Sequence, residues 1–145
     1  MIKIKMSEKY KILAKFIKDV SAETPDVETF MFVKNYISKY NLKIDITSLP
    51  LKDRVIEINT KLSLSDPNNN QKKSYFEIIY ATIIKLDESI TKPEEIEKII
   101  LCDVQNKIYS NLEKALLNLI NDSGFRGIKF EKKVDFDKLY KEKFI

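Results

Sequence analysis

The chain has 145 residues, of which 43% are hydrophobic and 33% charged, with only two glycines and four prolines. This composition excludes a disordered or low-complexity protein and predicts one domain with a sizeable core. Histidine is absent and Cys102 is the single cysteine, which excludes an intramolecular disulfide and the commonest general base and makes a structural zinc site implausible. Because no catalytic motif is recognisable either, we predict a binding protein without enzymatic activity, metal or cofactor.

The formal net charge of +4 comes from lysines spread over every segment, and Arg54 and Arg126 are the only arginines. Such a distribution is typical of a solvated surface, whereas nucleic-acid-binding proteins cluster their basic residues. No apolar run approaches the ~20 residues that cross a bilayer, and residues 1–6 have no apolar segment like that of a signal peptide. We expect a cytoplasmic protein without membrane insertion. A basic nucleic-acid-binding module stays open as an alternative.

Alternation of apolar and polar residues predicts four strands, at residues 10–21, 39–48, 54–65 and 72–86. In the first strand, Ile12, Ala14, Phe16 and Val20 are expected to share one face. Short turns join strands two, three and four into a meander. The connection over residues 22–38 is too long for a hairpin, so strand one is expected to pair with strand four, giving the order 1-4-3-2.

After residue 90 the apolar period becomes helical. The sequence from Thr91 to Glu94 predicts a capping box at the start of a long helix, and Gly124 is expected to end that helix. The helix is long for a small domain, which favours a break near residues 103–106. Asp135 is the expected N-cap of a last short helix. The predicted class is α+β: a four-stranded antiparallel sheet with a long helix and a short C-terminal helix on one face.

Four segments in order carry a family resemblance: residues 16–25 (FIKDVSAETP), 75–81 (YFEIIYA), 122–125 (DSGF) and 134–140 (VDFDKLY). Together they resemble the SecB family of bacterial protein-export chaperones over about residues 10–140. The family's proline-containing run between its helices is missing at residues 103–111, so a continuous helix stays open there. We treat residues 1–145 as one SecB-like domain, with about 1–9 and 141–145 as flexible ends.

The resemblance implies an ATP-independent holdase that binds unfolded preproteins and delivers them to SecA, the export motor ATPase. It also implies a homotetramer built as a dimer of dimers. Two alternatives stay open. The resemblance also fits a SecB-like chaperone of a toxin–antitoxin system, and the excess of lysine fits the basic nucleic-acid-binding module. A small ligand-binding or enzymatic domain has no motif to support it.

Parity places Asp19 and Glu23 on one face of strand one, and Tyr75 and Glu77 on one face of strand four. If the two strands pair, these side chains form one acidic patch around an apolar spot. The resemblance implies that Asp19, Glu23, Tyr75 and Glu77 bind the small, basic, zinc-containing tail of SecA.

The connection over residues 22–38 is unusually apolar, and is either a lid that seals the core or the wall of a groove for client chains. The resemblance favours the groove and implies five client-binding residues, Phe30, Phe32, Tyr36, Leu42 and Ile44. The apolar stripe of the long helix exceeds what one sheet face is expected to cover, which favours burial between subunits. The predicted oligomer-interface residues are Ile108, Leu112, Leu116 and Leu119.

Overall fold

The computed structural model describes residues 8–130 and 134–144. Its centre is an antiparallel sheet of four strands: β1 (Tyr10–Glu23), β2 (Asn41–Pro50), β3 (Val55–Ser65) and β4 (Tyr75–Leu86). The strand order is β1-β4-β3-β2, which confirms the predicted meander and its crossover. Of the ends expected to be flexible, residues 1–7 and 145 lie outside the described residues, whereas residues 141–144 are helical. The flexibility of the ends stays a prediction.

Strand β1 is irregular, because its pairing with β4 shifts register between Ile12 and Ala14 and again between Ile17 and Asp19. Each shift is a bulge that turns the following side chains to the other face. Ile12 and Val20 therefore lie opposite the buried row of β4, while Ala14 and Phe16 lie opposite Ile83 and Ala81 on the outer face. The prediction that these four residues share one face was wrong, because a strict period of two cannot cross a bulge.

The connection between β1 and β2 contains a helix that the sequence did not reveal, α1 (Val27–Lys34), followed by a short 3-10 segment (Ile37–Lys39). Asp26 caps α1, with its carboxylate accepting a hydrogen bond from the Thr29 N–H at 2.8 Å. The helix is apolar on several sides, so it shows little helical period in the sequence. It occupies the middle of the apolar connection over residues 22–38.

The long helix consists of α2 (Pro93–Lys98), a π-helical segment (Ile99–Asp103) and α3 (Val104–Asp122), with helical dihedral angles at the junction residues. The expected break near residues 103–106 is therefore wrong, and the irregularity is a π-helical segment one turn earlier. The expected capping box is wrong too, because the helix begins at Pro93, which makes Lys92 the N-cap, without a side-chain cap bond. Gly124 follows the helix end with a φ of 103°, as expected for a left-handed stop.

The core lies between this helix and the middle strands β3 and β4, where each contributes a row of fully buried side chains. Several polar residues are buried as well, and the largest of them is Gln105, with 0% exposure. Its amide donates to the Ile100 carbonyl at 3.1 Å and its oxygen accepts from the Thr60 hydroxyl at 3.0 Å. These two bonds connect the π-helical segment to β3 and satisfy polar groups that would otherwise be costly to bury.

The C-terminal helix α4 (Phe136–Phe144) packs against the π-helical segment and α3. The Asp135 carboxylate accepts from the Lys138 N–H at 3.1 Å, which confirms the expected cap. The Phe136 ring is buried edge-on to Tyr109 with 5.4 Å between centroids. Cys102 is buried as expected and donates its thiol to the Asp137 carboxylate. Burial, followed by this contact, raises the pKa of Cys102 to about 11, so the thiol is a poor nucleophile at neutral pH.

Candidate functional site

The helix side of β2 carries an apolar row that the protomer covers only in part. Leu42, Ile44 and Ile46 alternate along the strand, and all three are half-buried. The long helix packs over β4 and β3 rather than over β2, so this row lies at the margin of the core. A cleft lies at each end of the row, and both combine apolar walls with access from solvent.

The first cleft has a volume of about 660 Å³ and lies between the 3-10 segment, the start of β2 and the chain that follows the long helix. Its walls are mainly apolar, with two lysines and three other polar or small residues. The lining comprises Ile37, Ser38, Lys39, Tyr40, Asn41, Leu42, Leu64, Gly127, Ile128, Lys129 and Phe130. Clefts of this size accommodate several side chains of an extended peptide.

The second cleft has a volume of about 270 Å³ and lies between β2, the π-helical segment and α4. Ile44 and Ile46 of β2 are among the residues that line this cleft. Leu139 of α4, which is 47% exposed, also lines it. The remaining lining residues are Asp45, Leu101, Phe136 and Tyr140. Two of the five predicted client-binding residues, Leu42 and Ile44, thus line neighbouring clefts on one strand.

The other three predicted client-binding residues lie outside the lining of both clefts. Phe30 is half-buried and packs on Phe125, with 4.9 Å between ring centroids. Phe32 stacks on Tyr36 at 4.8 Å, near the end of α1. Their client-binding role stays a prediction, while their contacts fix the position of α1 beside the first cleft.

The predicted acidic patch lies on the outer face of the sheet, opposite the helices. In the register of β1 with β4, Glu23 pairs with Tyr75 and Asp19 pairs with Ile79. On β4, Glu77 lies between Tyr75 and Ile79, two residues from each. The four residues Asp19, Glu23, Tyr75 and Glu77 therefore share one face and one end of the sheet, because both bulges of β1 precede Asp19.

Hydrogen bonding organises the centre of this patch. The Tyr75 hydroxyl donates to the Glu77 carboxylate, and burial together with that acceptor raises the pKa of Tyr75 to about 12. The Lys61 ammonium lies 3.8 Å from the same carboxylate and balances part of its charge. Asp19 and Glu23 are exposed and form no ion pair with the described residues. The free negative charge of the patch is thus carried by β1.

Most of the predicted oligomer-interface residues of the long helix lie inside the protomer. Ile108, Leu112 and Leu116 are 0% exposed, and they belong to the protomer's own core. Their role in an interface between copies stays a prediction. Leu119 is only half-buried and keeps some free surface.

Sequence comparison identifies the family to which this fold and site belong. The profile described as "Preprotein translocase subunit SecB" matches residues 4–144. The chain belongs to the SecB family. The predicted family is thereby confirmed, and with it the expectation of a protein-export chaperone. The SecB family is one of chaperones and not of enzymes.

Individual relatives agree with this assignment. A protein of Pelagibacter ubique (strain HTCC1062), whose name provisionally assigns it to SecB, is 56% identical over 95% of this chain and 99% of its own length. The protein-export protein SecB of Bradyrhizobium sp. (strain BTAi1 / ATCC BAA-1182) is 23% identical over 90% of this chain and 79% of its own length.

The fold has a known structural counterpart. A SecB-like chaperone of Mycobacterium tuberculosis, solved in complex with a ChAD peptide from the HigA1 antitoxin, has a TM-score of 0.64 to this chain at 9% identity. The match covers 86% of this chain and 91% of that one, and it shows the shared fold. In the described part of this chain, no helix combines the length and apolar character needed to cross a membrane.

Proposed function

We propose that this member of the SecB family is an ATP-independent holdase that binds unfolded preproteins in the cytoplasm and keeps them competent for export. The observation that carries the proposal is the apolar row of β2, partly uncovered and bordered by the two clefts. Such a surface fits extended apolar segments, which unfolded chains expose and native proteins bury. Several weak sites in one assembly gain avidity without requiring a particular client sequence.

Light scattering tests this function directly. A denatured preprotein diluted into buffer without nucleotide is expected to stay in solution when this protein is present in stoichiometric amounts. The same preprotein in its native state is expected to form no complex, because its apolar segments are buried. Unchanged aggregation at both low and physiological salt would contradict the proposal and favour the nucleic-acid alternative, which predicts steeply salt-dependent RNA or DNA binding.

We further propose that the chaperone assembles as a homotetramer. Strand β1 is a sheet edge and carries four large apolar side chains, each about half exposed. They are Leu13, Phe16, Ile17 and Val20. This strand supports a contact between copies better than the buried helix stripe does. Sedimentation at micromolar concentration is expected to give the mass of four chains, and a monomeric mass would contradict the assembly.

The proposal extends to delivery of the client to SecA through the acidic patch. Its exposed carboxylates, Asp19 and Glu23, complement a basic tail, and Ile79 of β4, which pairs with Asp19, adds an apolar surface beside them. Asp19→Lys is therefore expected to weaken binding of the SecA tail roughly 10- to 100-fold, because it replaces an attractive charge by a repulsive one. Glu77→Lys is expected to act in the same direction.

Calorimetry with the isolated zinc-loaded SecA tail measures this effect. The matched control is Glu88→Lys, an equal charge change at an exposed residue that follows the opposite end of β4. The control is expected to bind the tail nearly as the unmodified chain does, and all variants are expected to keep the same sedimentation mass. Equal affinity of the two patch variants and the unmodified chain would reject the assignment.

A further inference from the structure

The first cleft is lined by positively charged residues as well as by apolar ones. Lys39 belongs to the 3-10 segment and Lys129 to the chain beyond the long helix, so two lysines are among the residues that line one cleft. Both residues are exposed, and neither forms an ion pair with a carboxylate of the described residues. Lys39 instead lies over the Tyr36 ring, 5.2 Å from its centroid.

Negative charge near this cleft is already engaged or distant. Among the described residues, no carboxylate lines it. Asp66, in the turn after β3, accepts hydrogen bonds from the Asn68 N–H at 2.8 Å and from the Asn70 side-chain amide at 2.9 Å, both within that turn. Of the described residues that line the second cleft, only Asp45 is charged. The described linings of the two clefts therefore carry charges of opposite sign.

We propose that the first cleft selects client segments in which apolar or aromatic residues are flanked by aspartate or glutamate. The inference rests on the proposed holdase function and specifies its substrate class. Apolar side chains of the client fill the walls around Leu42 and Phe130, and a flanking carboxylate pairs with Lys39 or Lys129. An ammonium that is already held near apolar walls gains more from such a pair than a freely solvated one, because the cleft excludes part of the screening water.

Three labelled peptides of one aromatic and aliphatic core test the proposal by fluorescence anisotropy with the full chain. One core is flanked by acidic residues, one by serine and one by lysine. The acidic peptide is expected to bind roughly tenfold more tightly than the lysine-flanked peptide at low salt, with the serine-flanked peptide between them. Raising the salt to about 1 M is expected to bring the three affinities together, because exposed charges are screened at that ionic strength.

A charge-reversed variant locates the effect. Lys39→Glu with Lys129→Glu is expected to invert the order of the acidic and lysine-flanked peptides while the serine-flanked peptide binds as before. The matched control is Lys11→Glu with Lys85→Glu, which changes the net charge equally at an exposed cross-strand pair far from the cleft. This control is expected to keep the original order.

Each outcome separates the inference from the function on which it rests. Binding of all three peptides with equal affinity would overturn the selectivity and leave the holdase standing. An equal inversion in the control variant would also overturn it, because the preference would then reflect net charge and not the cleft. Failure of every peptide, the serine-flanked one included, to bind at either salt concentration would overturn the proposed function itself.

Discussion

A variant that carries Leu42→Asp and Ile44→Asp is expected to lose client capture, with affinity for a denatured preprotein falling at least about 100-fold. Each replacement removes an apolar side chain whose complete burial contributes roughly 1.5–3 kcal/mol. Because both side chains are already half-buried in the protomer, a client adds about half of that amount at each one. Each replacement also places a carboxylate against an apolar segment, which costs further free energy. The two residues line different clefts, so a client bound to either one is affected.

The control for this prediction is Thr47→Asp with Leu49→Asp, on the outer face of the same strand. It changes the net charge equally, and Leu49 is a 54% exposed apolar residue, so the control also removes apolar surface. Complex formation is measured by the mass of the preprotein–chaperone complex, after thermal unfolding has shown that both variants fold. Equal capture by the two double variants would mean that clients do not bind along the helix side of β2.

Gly124→Ala is expected to lower the free energy of unfolding by roughly 2–4 kcal/mol, a large part of the usual stability of a domain this size. Gly124 has a φ of 103°, which L residues rarely adopt, and an added Cβ would lie 2.8 Å from Cε1 of Phe30. The ring cannot retreat freely, because it packs on Phe125, which in turn packs on Phe76. The substitution therefore disturbs the packing of α1 against the end of the long helix.

Gly127→Ala provides the matched control, because Gly127 also has a positive φ, of 79°, but nothing lies within 4 Å of the added Cβ. It is expected to cost only the backbone strain, roughly 1 kcal/mol. Phe30→Leu in the Gly124→Ala background is expected to cost less than the sum of the two single changes, since the smaller side chain relieves the overlap. Denaturant unfolding at one fixed protein concentration measures the stability of Gly124→Ala, Gly127→Ala, Phe30→Leu and the double variant. Equal losses at Gly124 and Gly127, with additive double substitution, would contradict the packing account.

The sequence predicted the sheet well, for a physical reason. Strand β3 alternates so regularly that a slip of one residue would bury its polar row, which fixes its register, and the short turns on both sides leave one way to order the strands. The bulges of β1 have no such signal. Helix α1 was missed because its apolar residues do not fall on one face, and Gln105 was missed because its two partners meet it only in the folded core.

The site was predictable in part. Asp19 and Glu23 follow the bulges of β1, and β1 pairs with the strand that carries Tyr75 and Glu77. Parity and strand order therefore suffice to place the four residues together. Parity also places Leu42 and Ile44 on one side of β2. Parity cannot show that Ile108, Leu112 and Leu116 are buried in the protomer's own core, since that depends on how the helix lies over β3 and β4.

The sequence alone could not predict that two lysines line the first cleft either. Lys39 and Lys129 are distant in the chain, and they come together only because the backbone turns back after Gly124 and runs beside the start of β2. Each alone is an exposed lysine among many. Their shared position is visible only in the folded chain.

Site-specific photo-crosslinking tests the central claim, that an unfolded client lies along the helix side of β2. A photoreactive residue is placed at position 44, on the helix side, or at position 47, on the outer face, and a denatured preprotein is diluted into each variant without nucleotide. We expect strong crosslinks from position 44, weak ones from position 47, and none from either with the native preprotein. Equal crosslinking from both positions, or crosslinks to the native preprotein, would contradict the account.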